Sequence, residues 1–180
     1  MKLRTTLLFS MACLSMVALA QKEGHQLAPY VPSPQDIIDR MLEVSQLKRG
    51  EMVYDIGCGD GRILITAVQK FGAKAVGIEI SPKLAQSASE IVNKLGLRNR
   101  ATVLKADAMD VDLSPADVVT LYLTTSANET LRPKLQENLK AGTRVVSHDY
   151  PVKGWKPQMV EEVYAHNRMH KIYLYIVEKN

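Results

Sequence analysis

The amino-acid sequence predicts a single α/β domain built on a doubly wound, mostly parallel sheet. Three observations lead to this fold class: short aliphatic runs alternate with helical patterns, those runs are continuously apolar, and a glycine-rich turn follows the first of them. Continuous apolar runs indicate strands that are covered on both faces, as parallel strands with crossover helices are. With 46% hydrophobic and 23% charged residues among 180, the chain has neither the composition of a disordered protein nor that of a polytopic membrane protein.

The first twenty residues differ in character from the rest. Lys2 and Arg4 precede an uncharged apolar run over 7–20, which ends in an Ala-Leu-Ala motif at 18–20. A basic start, a short apolar stretch and small residues at its end are typical of a secretory signal peptide, and the run is short for a membrane span. We therefore expect a leader over 1–20 and export to the periplasm or the medium. An uncleaved membrane anchor is the alternative.

Removal of this leader changes the charge balance. The whole chain has 23 basic and 19 acidic side chains, and taking away 20 residues with two of the basic ones leaves 160 residues at a net charge of +2. No basic cluster with interleaved aromatics remains in the sequence, so we expect no nucleic-acid partner. Cys58 alone would remain of the two cysteines, which excludes an internal disulfide. We expect a monomer without stable membrane insertion once the leader is cleaved.

After the leader, the sequence predicts an extended arm and then a first helix. Residues 21–33 are polar and punctuated by prolines, and a residue that precedes proline is disfavoured in the helical region. Ser33 is expected as the N-cap with Pro34 at the first helical position, and apolar residues then recur at helical spacing until Gly50. The main domain is expected over 34–180.

Six short aliphatic runs are expected as strands, with helices between them. The predicted strands are 52–54, 75–80, 102–104, 118–123, 144–147 and 172–177. Helices are predicted over 63–71 and 84–95, because apolar residues recur there every three or four positions. Farther on, Pro133 is compatible with the first turn of a helix only, so we expect a break near Thr130 and a helix from about Arg132.

The loop after the first predicted strand has the chemistry of a ligand site. It reads Asp55-Ile56-Gly57-Cys58-Gly59-Asp60-Gly61-Arg62 and opens directly into a helix. Glycines allow a tight turn and close approach of the backbone, and a helix start offers free N–H groups. Arg62 stands at the third glycine position of a dinucleotide fingerprint, and Asp55 and Asp60 would repel a pyrophosphate. These features argue against NAD and favour a ligand with positive charge and hydroxyls.

Two further acids follow the next two predicted strands. Glu79 ends the second strand, where a carboxylate can accept both hydroxyls of a ribose, and Asp107 follows the third, beside the position of an adenine. Each acid taken alone is more often a solvated strand end or a helix cap. Acids at three successive strand ends, together with the glycine loop, indicate one binding site.

At these residues the sequence resembles the class I S-adenosylmethionine-dependent methyltransferases. The resemblance implies a Rossmann-like, seven-stranded sheet and S-adenosyl-L-methionine as the cofactor. The cofactor contacts that it implies are Tyr30, Asp55, Gly57, Gly59, Asp60, Gly61, Glu79 and Asp107. Within that superfamily the chain is similar to the archaeal broad-specificity protein-lysine methyltransferase and to the mitochondrial lysine methyltransferases of the adenine nucleotide translocase and the ATP synthase c subunit.

The segments that carry the closer resemblance are 29–34, 54–62, 131–135, 142–148 and 154–157. It implies that the acceptors are lysine side chains of a protein substrate. A small-molecule methyltransferase and a cofactor-binding protein without activity are the alternatives.

The resemblance also implies roles around the transferred methyl group. Tyr30, on the arm, would fold over the cofactor and Tyr122 would form a wall beside the methyl group, so these two are the expected catalytic residues. Thr124, Tyr150 and Trp155 are expected to contact the substrate. A core position for Tyr122 and simple packing of Trp155 under the rim of the sheet are the alternatives.

Neither a catalytic base nor a metal is expected. Desolvation and a neighbouring sulfonium both lower the pKa of a lysine, so alignment of the reacting atoms is the main task. His148 and Asp149 are expected to hold a loop, because His25, His166 and His170 show no metal-ligand spacing with His148.

Overall fold

The structure is a computed structural model, and it describes residues 29–179. The predicted leader over 1–20 and the first part of the predicted arm, 21–28, lie outside the described residues. The helices are α1 Gln35–Val44, α2 Arg62–Phe71, α3 Pro82–Lys94 and α4 Thr125–Asn138, with a 3-10 turn at Ala108–Asp110. The strands are β1 Met52–Ile56, β2 Lys74–Glu79, β3 Ala101–Lys105, β4 Val118–Leu121, β5 Arg144–His148, β6 Met159–Ala165 and β7 Arg168–Ile176.

The strands form one seven-stranded sheet in the order β3-β2-β1-β4-β5-β7-β6. Strands β1 to β5 run parallel, whereas β7 is antiparallel to both of its neighbours. The chain winds outward from β1 to β3 and then returns to place β4 on the other side of β1, so the strand order reverses between β1 and β4. Ligands of such sheets bind beyond the carboxyl ends of the strands at this point. The predicted fold class is confirmed.

Helix α1 packs on the antiparallel part of the sheet. Its fully buried Ile37 and Met41 lie in one apolar cluster with Val146, Ile172 and Leu174. This packing brings the chain that precedes α1 close to the end of β5. None of the helices within residues 29–179 has both the length and the apolar character that a membrane crossing requires.

The start of α1 differs from the prediction. Pro34 is the N-cap and Gln35 the first helical residue, and Ser33 makes no cap. Its hydroxyl instead lies 2.9 Å from Nδ1 of His148, 115 positions farther along the chain. The helix also ends at Val44, well before Gly50. A distant buried partner has here replaced the local capping bond.

The expected break in α4 is wrong. The helix is continuous through Thr130 and contains Pro133 in its interior. Proline at such a position removes one backbone hydrogen bond and crowds the preceding turn. Leu131 and Leu135 are fully buried on either side of it, so packing against the sheet holds both halves of the helix in line.

Strand β6 was not predicted from the sequence, and β7 begins four residues before the predicted position of 172. Strand β6 lies at the edge of the sheet and alternates between exposed and half-buried positions, with two glutamates in it, so it lacks a continuous apolar run. Residues 168–171 pair with β6 but not with β5. The β6–β7 hairpin therefore extends beyond the carboxyl end of β5.

Candidate active site

A cleft opens beyond the carboxyl ends of the parallel strands, at the point where the strand order reverses. The residues that line it include the arm at 29–33, the turn at 55–60, Glu79, Asp107 and Tyr122. The structure thus brings together most of the predicted site residues.

The glycine turn between β1 and α2 forms one side of this cleft. Gly57, Gly59 and Gly61 all have positive φ angles, of 76°, 54° and 79°. Two successive N–H groups, those of Gly57 and Cys58, donate to the carbonyl of Ile78 at 2.8 and 3.1 Å and so tie the turn to β2. Left-handed backbone is accessible to glycine at little cost, which explains the residue type at these positions.

Asp55 lies at the bottom of the cleft and is almost completely buried. Its Oδ1 accepts a hydrogen bond from Thr120 Oγ1 at 2.7 Å, across the β1–β4 pair in which the two residues are direct partners. Burial raises the pKa of Asp55 to about 7, against the opposite effect of this hydrogen bond, and the charges of Glu79 and Asp60 act in the same direction as burial. A cationic ligand in the cleft would favour the ionised form.

Glu79 is held by backbone donors on both of its oxygens. Oε2 accepts from the N–H of Gly59 and Oε1 from the N–H of Ser81, each at 2.9 Å. A carboxylate has about four lone-pair positions, so acceptor capacity remains for the hydroxyls of a ligand. Asp107 also has a local partner, because its Oδ1 accepts from the N–H of Met109 at 2.9 Å and caps the 3-10 turn. Asp107 therefore both caps the 3-10 turn and lines the cleft.

Asp60 forms an ion pair that the sequence did not reveal. Arg62 Nη2 lies 2.6 Å from Asp60 Oδ2 and Arg62 Nε lies 2.9 Å from Oδ1. Burial acts to raise the pKa of Asp60, but the hydrogen bonds and the charge of Arg62 outweigh it and hold this pKa below its usual range. Arg62 Nη1 also donates to the carbonyl of Ser33 at 2.9 Å. The pair thereby fastens the arm to the start of α2.

Tyr30 rests directly on the glycine turn. A Cβ on Gly59 would lie 2.5 Å from Cε2 of the Tyr30 ring, so a side chain at position 59 and the ring compete for the same space. Burial, followed by the charge and the hydrogen bond of Asp60, raises the pKa of Tyr30. The tyrosine lines the cleft, and the role over the cofactor that the resemblance implies for it stays a prediction.

Tyr122 follows β4 and forms another part of the cleft wall. Its ring stacks on the imidazole of His148, with centroids 3.8 Å apart and an interplanar angle of 25°. Its hydroxyl accepts a hydrogen bond from Arg168 Nη2 at 3.3 Å. The ring of Tyr150 lies 6.3 Å away and is exposed at the surface. Two of the predicted aromatic residues are therefore neighbours.

The other two predicted substrate contacts occupy different places. Thr124 caps α4, where its Oγ1 accepts from the N–H of Ala127 at 3.2 Å, and it is not among the residues that line the cleft. Trp155 packs edge-on against Tyr175, with ring centroids 5.7 Å apart, and borders a separate surface hollow. Packing under the sheet rim, the alternative for Trp155, describes its contacts, and the substrate contacts of Thr124 and Trp155 stay predictions.

The sequence spacing gives no link between His148 and His170, yet the structure shows that they are partners. His148 Nε2 lies 2.7 Å from His170 Nδ1, and Asp149 Oδ2 lies 3.3 Å from both atoms. Burial lowers the pKa of His148 to about 4. The pairing of β5 with β7 places His148 opposite Ile172, and His170 follows on the same face. His170, Ile172 and Leu174 are buried at alternate positions of β7, which places the three side chains on one face.

Comparison with known proteins identifies sequence relatives of the chain. The model of the ANTKMT methyltransferase domain matches residues 55–159. A protein-lysine N-methyltransferase of Saccharolobus islandicus is 46% identical over 150 residues, which cover 83% of this chain and 93% of that protein. A mouse adenine nucleotide translocase lysine N-methyltransferase is 33% identical over 73% of this chain, and the match spans 57% of that protein.

Among solved structures, a similar one comes from Salinibacter ruber. It is described as an RNA methyltransferase in complex with S-adenosyl-L-homocysteine, and it is 39% identical to this chain. The two folds superpose with a TM-score of 0.78, and the match covers 83% of this chain and 95% of that one.

Proposed function

The chain belongs to the ANTKMT methyltransferase family of S-adenosyl-L-methionine-dependent enzymes, and on this premise we propose that its methyl acceptors are lysine side chains of proteins. The observation that carries the proposal is the match to the lysine methyltransferase of Saccharolobus islandicus, which extends over nearly the whole of that protein. The acidic cleft beyond β1, β2 and β4 supplies the matching cofactor site.

The residues of the cleft fit S-adenosyl-L-methionine. Glu79, oriented by two backbone N–H groups, has free acceptor capacity for the ribose hydroxyls. Asp107 stands at the next strand end, beside the place expected for the adenine. Asp55 is a buried carboxyl whose ionised form a cationic ligand would stabilise. The three acids thus match the hydroxyls and the positive charge of the cofactor.

The bound cofactor supplies a methyl group on a sulfonium, and the protein has to align an amine with it in a dry site. Tyr30 and Tyr122 line the cleft from the arm and from the end of β4. Their rings would exclude water and attract an incoming ammonium by cation–π contact. Burial beside the sulfonium lowers the pKa of the lysine, so its proton leaves to solvent before methyl transfer.

A direct test is to incubate the purified chain with isotope-labelled S-adenosyl-L-methionine and a cell extract, and then to search for methyllysine by mass spectrometry. Label on lysine is expected with the wild type and with Glu90→Gln, a control at an exposed acid of α3. Glu79→Gln should lose most of the label, because the amide cannot accept from both backbone N–H groups. Full activity of this variant would contradict the proposed site.

The same experiment tests a second acceptor. The solved relative described as an RNA methyltransferase makes RNA the competing substrate. Label that is released by ribonuclease and absent from protein would overturn the lysine proposal while leaving the methyltransferase assignment intact. Label in small metabolites alone would support the small-molecule alternative, and cofactor binding without turnover would support a protein that no longer catalyses.

We also propose export, which the basic start, the apolar run and the Ala-Leu-Ala motif of residues 1–20 support. Mass spectrometry of the amino terminus in separate cell fractions tests this proposal. A chain that begins at Gln21 outside the cytoplasm would support cleavage, and a chain that keeps its leader in the cytoplasm would refute it. Light scattering of the purified chain tests the proposed monomeric state.

A further inference from the structure

The carboxyl end of β5 carries a chain of hydrogen-bonded side chains that the methyl-transfer chemistry does not require. It begins on the arm, where Ser33 Oγ lies 2.9 Å from His148 Nδ1. It continues from His148 Nε2 to His170 Nδ1 at 2.7 Å. Ser33, His148 and His170 are each at most 4% exposed. Burying three polar side chains is costly unless their hydrogen bonds are made, so this arrangement calls for a role.

The ring of His148 contacts several side chains at once. Both ring nitrogens have polar partners, Ser33 and His170, and one ring face stacks on Tyr122 at 3.8 Å. A neutral imidazole has one donor and one acceptor, which suits two different partners. Burial keeps the ring neutral, because it lowers the pKa of His148 to about 4. Movement of any one partner would therefore disturb the other two.

A second branch holds the hydroxyl of Tyr122. Arg168 Nη2 lies 2.7 Å from Asp149 Oδ2 and 3.3 Å from Tyr122 Oη. Asp149 is itself fixed by the N–H of Lys171, which donates to Oδ1 at 2.9 Å. Asp149 Oδ2 also lies 3.3 Å from His148 Nε2, which joins the two branches. Tyr122 is thus held both at its ring face and at its hydroxyl.

A metal ion is a less satisfactory explanation of the same cluster. The donor atoms of His148, Asp149 and His170 all lie within 4.8 Å of one another. However, the two histidine nitrogens are at hydrogen-bond distance, and Arg168 already occupies the carboxylate oxygen that faces both rings. A divalent cation would have to displace the guanidinium or be repelled by it.

We infer that His148 is a positioning residue that couples the arm at 29–33 to Tyr122, the wall beside the acceptor. Its hydrogen bond to Ser33 depends on the position of the arm, and its stacked ring sets the orientation of Tyr122. Seating of the arm and orientation of Tyr122 then depend on each other, so cofactor binding prepares the wall against which the acceptor is placed. The acceptor part of this inference rests on the proposed lysine methylation, whereas the link between Ser33 and Tyr122 does not.

The link is tested first without any acceptor. The ring resonances of Tyr122, assigned in the tyrosine-labelled full chain, should shift in Ser33→Ala, because His148 lies between residue 33 and the Tyr122 ring. Ser45→Ala is the matched control, because Ser45 is equally buried but bonds to the carbonyl of Leu42 at the other end of α1. An unchanged Tyr122 spectrum in Ser33→Ala would overturn the inference, even if no substrate is ever found.

The coupling is then measured by two quantities, the affinity for S-adenosyl-L-homocysteine and the KM for the acceptor. Ser33→Ala should mainly weaken binding of S-adenosyl-L-homocysteine and should also raise the KM for the acceptor. Arg168→Ala should mainly raise the KM for the acceptor and should also weaken binding of S-adenosyl-L-homocysteine. The second effect of each variant is the cross effect, which should be about threefold or more and should vanish in a His148→Phe background. Cross effects that persist in that background would refute the role of His148. The role of His148 would also be refuted if each chain bound one zinc or other divalent metal ion and the Tyr122 spectrum depended on that ion.

Two results separate this inference from the proposed function. If no protein lysine is methylated but Ser33→Ala still shifts Tyr122 and weakens binding of S-adenosyl-L-homocysteine, the acceptor is wrong and the coupling stands. If lysines are methylated and the Tyr122 spectrum ignores residue 33, the coupling is wrong and the function stands. Should His148→Phe fail to fold, the comparison of Ser33→Ala with Ser45→Ala decides alone.

Discussion

Cε2 of Tyr30 lies 2.5 Å from the place that a Cβ on Gly59 would take. The glycine turn and the arm that carries Tyr30 are therefore matched in shape, and the absence of a side chain at position 59 leaves room for the ring. Two short segments that are far apart in the sequence share one van der Waals surface.

This relationship predicts that Gly59→Ala displaces the Tyr30 ring and weakens cofactor binding by about tenfold or more, a loss of about 1.4 kcal/mol. Calorimetry with S-adenosyl-L-homocysteine provides the measurement. Gly96→Ala is the matched control, because Gly96 has a similar positive φ of 70° but nothing within 4 Å of the place that its Cβ would take. Both variants should lose about 1 kcal/mol of stability to backbone strain. Equal cofactor affinities in the two variants would contradict the proposed contact.

Asp55 predicts opposite effects of pH on stability and on cofactor binding. Its pKa is raised to about 7 in the folded chain, whereas an unfolded Asp titrates near about 3.9. The folded chain therefore binds more protons between these values, and its free energy of unfolding falls as the pH rises through that window. Cofactor affinity should instead rise through pH 7, because a cationic ligand favours the carboxylate.

Asp55→Asn isolates this effect. At pH 8 the cofactor-free variant should be more stable than the wild type, by up to about 4 kcal/mol, while at pH 4 the two should be nearly equal. The variant should also lose most cofactor affinity and its dependence on pH. Urea unfolding at both pH values and calorimetry across pH 6–8 supply the measurements. A stability difference that is the same at both pH values would show that Asp55 is already ionised in the folded chain.

Arg62 predicts a change in the lifetime of the cofactor complex. Arg62→Lys keeps the charge but cannot maintain both the paired contacts to Asp60 and the bond to the Ser33 carbonyl. The arm should then open more often, and the dissociation rate of S-adenosyl-L-homocysteine should rise about tenfold. Stability should change by less than about 1 kcal/mol, since partly exposed ion pairs contribute little. Stopped-flow displacement would reveal an unchanged rate if the arm is held in another way.

We expect that substitution of Pro133 increases the stability of the folded chain. It lies exposed inside α4, where it removes one backbone hydrogen bond, so Pro133→Ala should stabilise the chain by about 1–3 kcal/mol. Pro82→Ala is the control, because Pro82 is at the first position of α3 and its missing N–H would have no partner there. Thermal unfolding should show a higher Tm for Pro133→Ala alone, with methyl transfer unchanged. A lower Tm would mean that the proline stabilises this helix.

Much of the candidate cofactor site could be predicted from the sequence because the pattern that identifies it is local. Asp55, Glu79 and Asp107 each stand at or just after the end of an apolar strand, and the glycines of the first turn identify the loop between β1 and α2. Parallel strands then bring these positions to one edge of the sheet without further information. The apolar runs likewise locate six strands of the sheet.

The remaining elements depend on contacts between distant residues. Strand β6 is an edge strand with a polar pattern, and α4 continues through Pro133 because the sheet buries Leu131 and Leu135. Neither feature has a strong local signal. The intrinsic preference of a short segment for helix or strand is weak, and burial against the rest of the chain overrides it.

The sequence by itself determined the fold class, the glycine turn and the three acids that suit a cationic nucleoside cofactor. Only the tertiary structure decided that Ser33 bonds to His148, that Arg62 fastens the arm, and that Trp155 packs away from the cleft. The physical reason is that strand and turn preferences follow from neighbouring residues, whereas a buried polar side chain takes whichever partner the packed layers place within hydrogen-bond distance.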